Sequence, residues 1–394
     1  MTASLYLHVP FCMGACDYCD FYSISVNNHS ALMDTFVDAV LDDVGDQLVR
    51  FEVDNVPTLY IGGGTPSVLG AVRMERLLAG IQAALKPLRE APAEFTVEAN
   101  PESADEAFLQ VCRDGGVNRI SLGIQTFHEP SRLAVRRTGD CHLLRKQAAR
   151  AAEYFPGAFS ADLITGLPLQ TGEVLESDIT ALLACHPSHI SLYSLVLEQE
   201  TPLGTEAGRL GAAALSLPCP DDADSLWIAG RDMLEAAGFA QYEVSNFALP
   251  DKACAHNVRY WRMENWLGAG PSASGTLINE AAGTGRRLSY QANLGAYLAA
   301  TKPRIHCARV EQLSQADLIR ESLLMGFRYR GGPDAESFRR RFGCGIGDLI
   351  PGTVARWRER GFFEADGPDS LAPSQRGLLF LNGFLRDAFA ELGE

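Results

Sequence analysis

Six short apolar runs, at residues 4–9, 58–61, 95–98, 119–124, 160–164 and 189–195, recur through the first half of the chain with helical segments between them. The first such segment is plain: Met33, Phe36, Val37, Val40, Leu41, Val44 and Leu48 repeat at helical spacing. Further helices are expected over 74–85 and 143–154. Another is expected to open at Ser103 and Glu106, whose spacing suits a capping box, and to end at Gly115 and Gly116. Strands that alternate with helices call for a parallel sheet with right-handed crossovers. Six such units make an incomplete barrel, an α/β fold of the partial (β/α)6, TIM-like kind, whose ligand-binding loops follow the carboxyl ends of the strands.

The first of those loops, Cys12-Met13-Gly14-Ala15-Cys16-Asp17-Tyr18-Cys19, carries three thiols. Structural zinc takes four ligands, usually from paired C-x2-C knuckles, and no second knuckle is present, so zinc is the weaker alternative. Three thiolates at C-x3-C-x2-C spacing can each hold one iron of a [4Fe-4S] cluster and leave the fourth iron for a non-protein ligand. Cys112, Cys141, Cys185, Cys219, Cys254, Cys307 and Cys344 stand singly in apolar segments, as reduced cytosolic thiols do. No basic region followed by a long apolar stretch opens the chain, and no run is long enough to span a bilayer, so a cytoplasmic location is expected. The balance of 34 Lys and Arg against 49 Asp and Glu, a net charge of −15, argues against nucleic acid as the main partner.

Beyond about residue 200 the alternation stops. Leu217-Pro218-Cys219-Pro220-Asp221-Asp222 reads as a loop before a helix over 225–237 that Gly238 caps, and residues 245–285 read as polar and irregular. Helical spacing returns from about residue 310. The expected division of the 394 residues is a barrel over 1–240, an irregular connecting segment over 241–309 and a small, mainly helical C-terminal domain over 310–394.

Gly62-Gly63-Gly64-Thr65 follows the second strand. Alone it reads as a tight turn; beside the cysteine loop it reads as a backbone cradle able to approach a carboxylate or ammonium closely. The cysteine loop, the glycine triplet and the partial barrel together resemble the radical S-adenosylmethionine (SAM) superfamily. Within it, Leu5-Tyr6-Leu7-His8-Val9-Pro10-Phe11-Cys12, the stretch from Gly62 to Ser67, Glu98-Ala99-Asn100-Pro101 and Asp162-Leu163-Ile164-Thr165-Gly166-Leu167-Pro168-Leu169-Gln170-Thr171 resemble the oxygen-independent coproporphyrinogen III oxidase group. That resemblance covers nearly the whole chain.

It implies a [4Fe-4S] cluster on Cys12, Cys16 and Cys19, flanked by Tyr6 and Tyr18. It also implies SAM held by Gly63, Gly64, Thr65, Glu98, Gln125, Arg137 and Asp162, since carboxylates suit ribose hydroxyls and an arginine suits a carboxylate. Read alone, Glu98 and Asp162 are equally well explained as satisfied polar residues at strand ends. Arg137 is placed by its distance from Gln125 and Asp162, because Arg136-Arg137-Thr138-Gly139-Asp140-Cys141-His142 departs from the group's usual Gly-Arg-x-His. His8, beside the cluster loop, is expected to be a structural hydrogen-bonder.

The group comprises true oxidases and a branch of haem chaperones. Oxidases carry a further cysteine two residues past the third, where this chain has Phe21. His256-Asn257-Val258-Arg259-Tyr260-Trp261 matches an H-N-x-x-Y-W motif associated with haem binding in the chaperone branch. The resemblance implies His256 as iron ligand, Tyr260 and Trp261 stacked on the macrocycle and Arg259 on a propionate; without it, one histidine beside two aromatics reads as a packed surface loop. Ser274 stands where the chaperones usually have histidine. The implied activity is haem uptake and delivery to a recipient haemoprotein, which could be membrane-associated. The alternative is oxidative decarboxylation of coproporphyrinogen III to protoporphyrinogen IX, and a weaker third is radical chemistry on another substrate.

Overall fold

A computed structural model describes residues 1–25, 30–88, 90–364 and 371–393. Strand β1 (Ser4–Val9) runs through the cysteine loop to helix α1 (Ser30–Arg50), followed by β2 (Thr58–Gly63), α2 (Gly70–Leu85), β3 (Glu94–Ala99), α3 (Glu106–Asp114) and β4 (Arg119–Gln125). Then come α4 (Glu129–Ala134), α5 (Cys141–Tyr154), β5 (Phe159–Thr165), α6 (Gly172–Leu183) and β6 (His189–Ser194). The six strands lie side by side in chain order and pair in parallel. This is the partial (β/α)6 barrel that the alternation implies.

Successive side chains of a strand point to opposite faces, and here the two faces differ in chemistry. Leu5, Leu7 and Val9 of β1, Leu59 and Ile61 of β2 and Val97 of β3 join Phe36, Val37, Val40 and Val44 of α1 and Met74, Leu77 and Ile81 of α2 in one buried core. Each such side chain contributes about 1.5–3 kcal/mol by leaving water. The alternate residues are polar and bond to one another across the barrel interior, as Thr58 does to Ser4, Tyr60 to Glu98 and Ser121 to Asp162. The outer layer therefore carries stability, and the inner one is left for chemistry.

After β6 come α7 (Pro202–Leu210), α8 (Pro220–Ala236), β7 (Ala240–Gln241), β8 (Asn246–Ala248) and α9 (Ala255–Trp261). The next elements are β9 (Trp266–Ala269), β10 (Ser274–Asn279), β11 (Thr284–Ser289), α10 (Leu294–Ala299), β12 (Arg309–Leu313) and α11 (Gln315–Gly326). The sheet thus has twelve strands among the described residues, in the order β12-β11-β10-β9-β1-β2-β3-β4-β5-β6-β8-β7. β9 pairs in parallel with the free side of β1, and β10, β11 and β12 continue from it antiparallel. Helices α12 (Ala335–Phe342), α13 (Ile346–Leu349), α14 (Pro351–Glu359), α15 (Gln375–Leu378) and α16 (Leu381–Glu391) complete the chain. Their core is aromatic: the Phe384 ring stacks on Phe362 at 4.4 Å and meets Phe327 edge-on at 4.6 Å.

Three local expectations are overturned. The stretch 245–285 is not irregular: it holds β8, α9, β9 and β10 and opens β11. These strands are three to six residues long, rich in glycine and polar residues, and carry little periodic signal. The capping box at Ser103 and Glu106 does not form. Ser103 still belongs to the turn after β3, where its N–H bonds the Asn100 carbonyl, and the cap is Asp105, whose carboxylate accepts from Phe108 N at 2.8 Å. Pro220, Asp221 and Asp222 are the first turn of α8 and not a loop. Proline loses nothing at that position, and acidic residues there suit the helix dipole.

Candidate functional site

The loops at the carboxyl ends of β1 to β6 enclose a cavity of about 590 Å³. Cys12, Cys16 and Cys19 all face it. The loop is pinned at several points: Thr65 N donates to Phe11 O at 2.7 Å, Gly64 N to Val9 O at 2.8 Å, and Cys19 N to Cys16 O at 3.1 Å. Cys12 Sγ lies 3.3 Å from Thr65 Oγ1, and Arg137 donates to Cys16 Sγ at 3.5 Å. Burial pushes the Cys19 thiol above its usual range. Among the described residues no three His, Cys, Asp or Glu side chains sit close enough to share one metal ion. A [4Fe-4S] cluster does not require that, since each thiolate takes its own iron.

The glycines are forced by their neighbours. A Cβ on Gly62 would lie 2.8 Å from Glu98 Oε2, and one on Gly64 2.6 Å from Phe11 O. Gly63 has φ +108°, and a Cβ there would stand 2.7 Å from the His8 ring. That ring is itself fixed: Tyr6 OH lies 3.1 Å from His8 Nδ1, and His8 Nε2 lies 2.9 Å from Tyr22 O. With Tyr6 donating, His8 carries its proton on Nε2 and is neutral, as its burial and lowered pKa require. His8 is thus a structural hydrogen-bonder, and Tyr6 belongs with it. Tyr6 is not on the cavity wall, in contrast to Tyr18.

Glu98 from β3, Gln125 from the end of β4, Arg137 from the segment between α4 and α5 and Asp162 from the middle of β5 reach the same wall. Glu98 accepts from Tyr60 OH at 2.7 Å and from Gly63 N at 3.2 Å. Withdrawal from bulk water raises its pKa to about 7 against the pull of the Tyr60 bond, and nearby Asp162 adds to the rise. Asp162 is also raised by desolvation, with Ser191 and Ser121 opposing. Gln125 sits where the β4–β5 register slips, in left-handed backbone at φ +68°. Such strain, of order 1–3 kcal/mol, persists where the surroundings require it. Arg137 is held by Asn100 Oδ1 at 2.8 Å and Gly123 O at 2.6 Å.

Two polar atoms of this wall, Gln125 Oε1 and Arg137 Nε, are buried without a partner. Unspent donors and acceptors beside a cradle that no Cβ can enter fit a polar ligand such as SAM. Asn100, not singled out from the sequence, ties the wall together: its Nδ2 donates to Thr65 Oγ1 at 3.0 Å while its Oδ1 receives Arg137. Its signal was its place as a polar residue just past a strand end. Tyr60 was missed as well, although period-two alternation sets it on the same face as Gly62 and beside Glu98.

The H-N-x-x-Y-W segment lies elsewhere. It forms α9, which closes the opposite end of the barrel, where β1, β2 and β3 begin. Glu94, the first residue of β3, receives the N–H groups of Ala255 and His256 at 2.8 and 2.9 Å. Arg259 Nε donates to Ser4 Oγ at 2.7 Å and its guanidinium pairs with Glu264, so it is not free for a propionate. His256 is 1 % exposed. Its Nδ1 lies 2.8 Å from Thr58 Oγ1 and its Nε2 3.0 Å from Tyr260 OH. Because Thr58 gives its own proton to Ser4 Oγ, Nδ1 carries the ring proton and Nε2 accepts from Tyr260. A histidine so held has no lone pair to offer an iron. Burial, with Arg259 and Arg119 adding to it, lowers its pKa to about 3. Tyr260 meets the His256 and Trp266 rings edge-on at 4.7 and 4.9 Å, and Trp261 borders a cavity of about 20 Å³, room for one water. In this geometry both nitrogens of His256 are bonded and Tyr260 is occupied with His256 and Trp266, so the haem-ligand expectation is not met at these two residues. The segment is a helix that buries His256, and not the surface loop that its residues alone suggest.

Residues 6–182 match the family described as the Radical SAM superfamily. The heme chaperone HemW of Lactococcus lactis is 36% identical over 88% of this chain and 86% of its own length. The Escherichia coli heme chaperone HemW is 38% identical over 70% of each chain. A bovine mitochondrial protein, radical S-adenosyl methionine domain-containing protein 1, is 34% identical over 83% of this chain and 73% of its own. Among solved structures, coproporphyrinogen III oxidase (HemN) from Escherichia coli superposes with a TM-score of 0.81, covering 98% of this chain and 90% of that one. At 22% identity that likeness shows the fold.

Proposed function

Since the chain belongs to the HemW heme-chaperone family of the Radical SAM superfamily, we propose that it is a cytoplasmic chaperone that binds a [4Fe-4S] cluster and SAM, accepts haem and passes it to a haemoprotein. The observation that carries the cofactor half is the convergence of three thiols, a glycine cradle and two unspent polar atoms on one cavity. Cys12, Cys16 and Cys19 would hold the cluster, which supplies an iron open to a non-protein ligand. Gly63, Gly64 and Thr65 let the backbone approach the amino-acid part of SAM. Glu98 and Asp162 accept hydroxyl protons, Gln125 Oε1 and Arg137 Nε offer the unspent polar atoms, and Tyr18 walls the pocket. What supports a chaperone over an oxidase is the family itself and Phe21, 67% exposed on the cavity wall where oxidases carry a fourth cysteine. Among the described residues no helix is long and apolar enough to cross a membrane.

The test is anaerobic reconstitution of the cluster, followed by separate incubation with haem and with coproporphyrinogen III. Stoichiometric haem uptake without turnover, and transfer of that haem to an apo-haemoprotein, are the expected results. Conversion of coproporphyrinogen III to protoporphyrinogen IX would overturn the chaperone assignment in favour of the oxidase.

A further inference from the structure

Tyr60 lies between the two ends of the barrel and touches both. Its hydroxyl donates to Glu98 Oε1 at 2.7 Å, and Gly63 N holds the other carboxylate oxygen at 3.2 Å. Its ring lies against the His256 imidazole, with centroids 5.1 Å apart and planes within 29° of parallel. Thr58 and Tyr260 clamp that imidazole through its two nitrogens, so the ring that backs Tyr60 cannot slide. A continuous line of contacts therefore runs from α9 at the floor to a carboxylate at the mouth.

We propose that Tyr60 and His256 are positioning residues for Glu98: α9 fixes the Tyr60 ring, and Tyr60 fixes the rotamer and favours the charged form of the carboxylate that takes a SAM hydroxyl. This rests on the proposal that Glu98 contacts SAM. It gives the H-N-x-x-Y-W segment a part in SAM binding from the far end of the barrel, without contact to either cofactor.

The groups that face Glu98 are Tyr60 and Gly63 N from β2, Tyr6 from β1, Arg119 from β4, Asp162 from β5 and Tyr193 from β6. Desolvation and Asp162 disfavour its charge, whereas the Tyr60 and Gly63 hydrogen bonds and Arg119 favour it. Removing the Tyr60 bond must therefore move the carboxyl's titration upward, and an affinity that needs the carboxylate moves with it.

The measurement is SAM affinity of the cluster-loaded protein, by calorimetry, as a function of pH. In the wild type, affinity falls on the acid side of about pH 7. Tyr60→Phe keeps the ring and the fold but shifts that limb upward by about one unit, so SAM binds roughly tenfold more weakly near about pH 6 and almost normally near about pH 9. His256→Ala shifts the limb in the same direction by less, and His256→Phe, which keeps a ring against Tyr60, restores it. An unshifted limb in Tyr60→Phe overturns the positioning role while leaving SAM contact with Glu98 standing. Unchanged SAM affinity in Glu98→Gln overturns that contact, and the positioning role with it. If His256→Phe behaves as His256→Ala does, the ring contact is not the link.

Discussion

The mouth and the floor of the barrel are built from the same strands, yet the polar atoms around His256 and those around the large cavity are treated in opposite ways, even though Arg119 Nη2 and Thr96 Oγ1 toward the floor are also buried without a partner. At the floor, both nitrogens of His256 are bonded, Thr58 hands its proton to Ser4, and Glu94 takes two N–H groups of α9. The one buried side-chain nitrogen or oxygen of α9 without a partner, Trp261 Nε1, fronts a space for a single water. At the mouth, Gln125 Oε1 and Arg137 Nε are unspent before a cavity of about 590 Å³, and three thiols line the same space. Buried polar atoms normally find partners within the protein. A cluster that has done so is structure; one that has not, beside a space of ligand size, is a site.

The largest test of that contrast is at the mouth. Cys12→Ala should abolish the cluster's visible absorbance after reconstitution, while urea unfolding of the cluster-free chain changes by no more than about 0.5 kcal/mol, because Cys12 is only half-buried. An unaffected spectrum would mean that the loop does not hold the cluster. At the floor the reverse is expected. His256→Ala should cost about 2–4 kcal/mol in unfolding free energy, since Thr58 and Tyr260 lose a buried partner. Haem uptake by the folded fraction should persist. Lost uptake at unchanged stability would make His256 a ligand after all and erase the contrast.

The remaining effect is in pH. The folded pKa of His256 lies near 3, below its usual 6.5, so the unfolded chain binds the extra proton and the stability this residue contributes is lost as pH falls from about 6.5 toward 3. Glu98 runs the other way. Its folded pKa is near 7, above the usual 4.5, so its contribution is full below 4.5 and is lost as pH rises through 7. Each slope is about 1 kcal/mol per pH unit. Denaturation of the cluster-free chain across this range should therefore lose its acid-side slope in His256→Ala and part of its neutral-side slope in Glu98→Gln. Parallel changes in the two variants would show that the ends are not opposed.

Much of the mouth was legible because its chemistry is local. The cysteine spacing lies within one loop; Gly63, Glu98 and Gln125 each follow or end an apolar run, and Asp162 lies within one. The parallel order of β1 to β6 follows from the same alternation. β9 was not legible: four residues, Trp266–Ala269, become a strand because the free edge of β1 is there to receive them. Ser103 and Asp105 compete for one cap, and the turn after β3 decides between them.

What the sequence by itself determined is the barrel, the loop face at the strand ends and the three-thiol loop on it, since each depends on spacing along a few residues, whereas Glu98, Gln125, Arg137 and Asp162 are marked for SAM only by the family resemblance. What only the tertiary structure decided is the part played by His256. Its motif suggests a ligand, but its partners Thr58 and Glu94 lie 198 and 162 residues away in the chain. A histidine's free lone pair, and hence its chemistry, is set by the groups that surround it, and here those groups come together only when the barrel closes over α9.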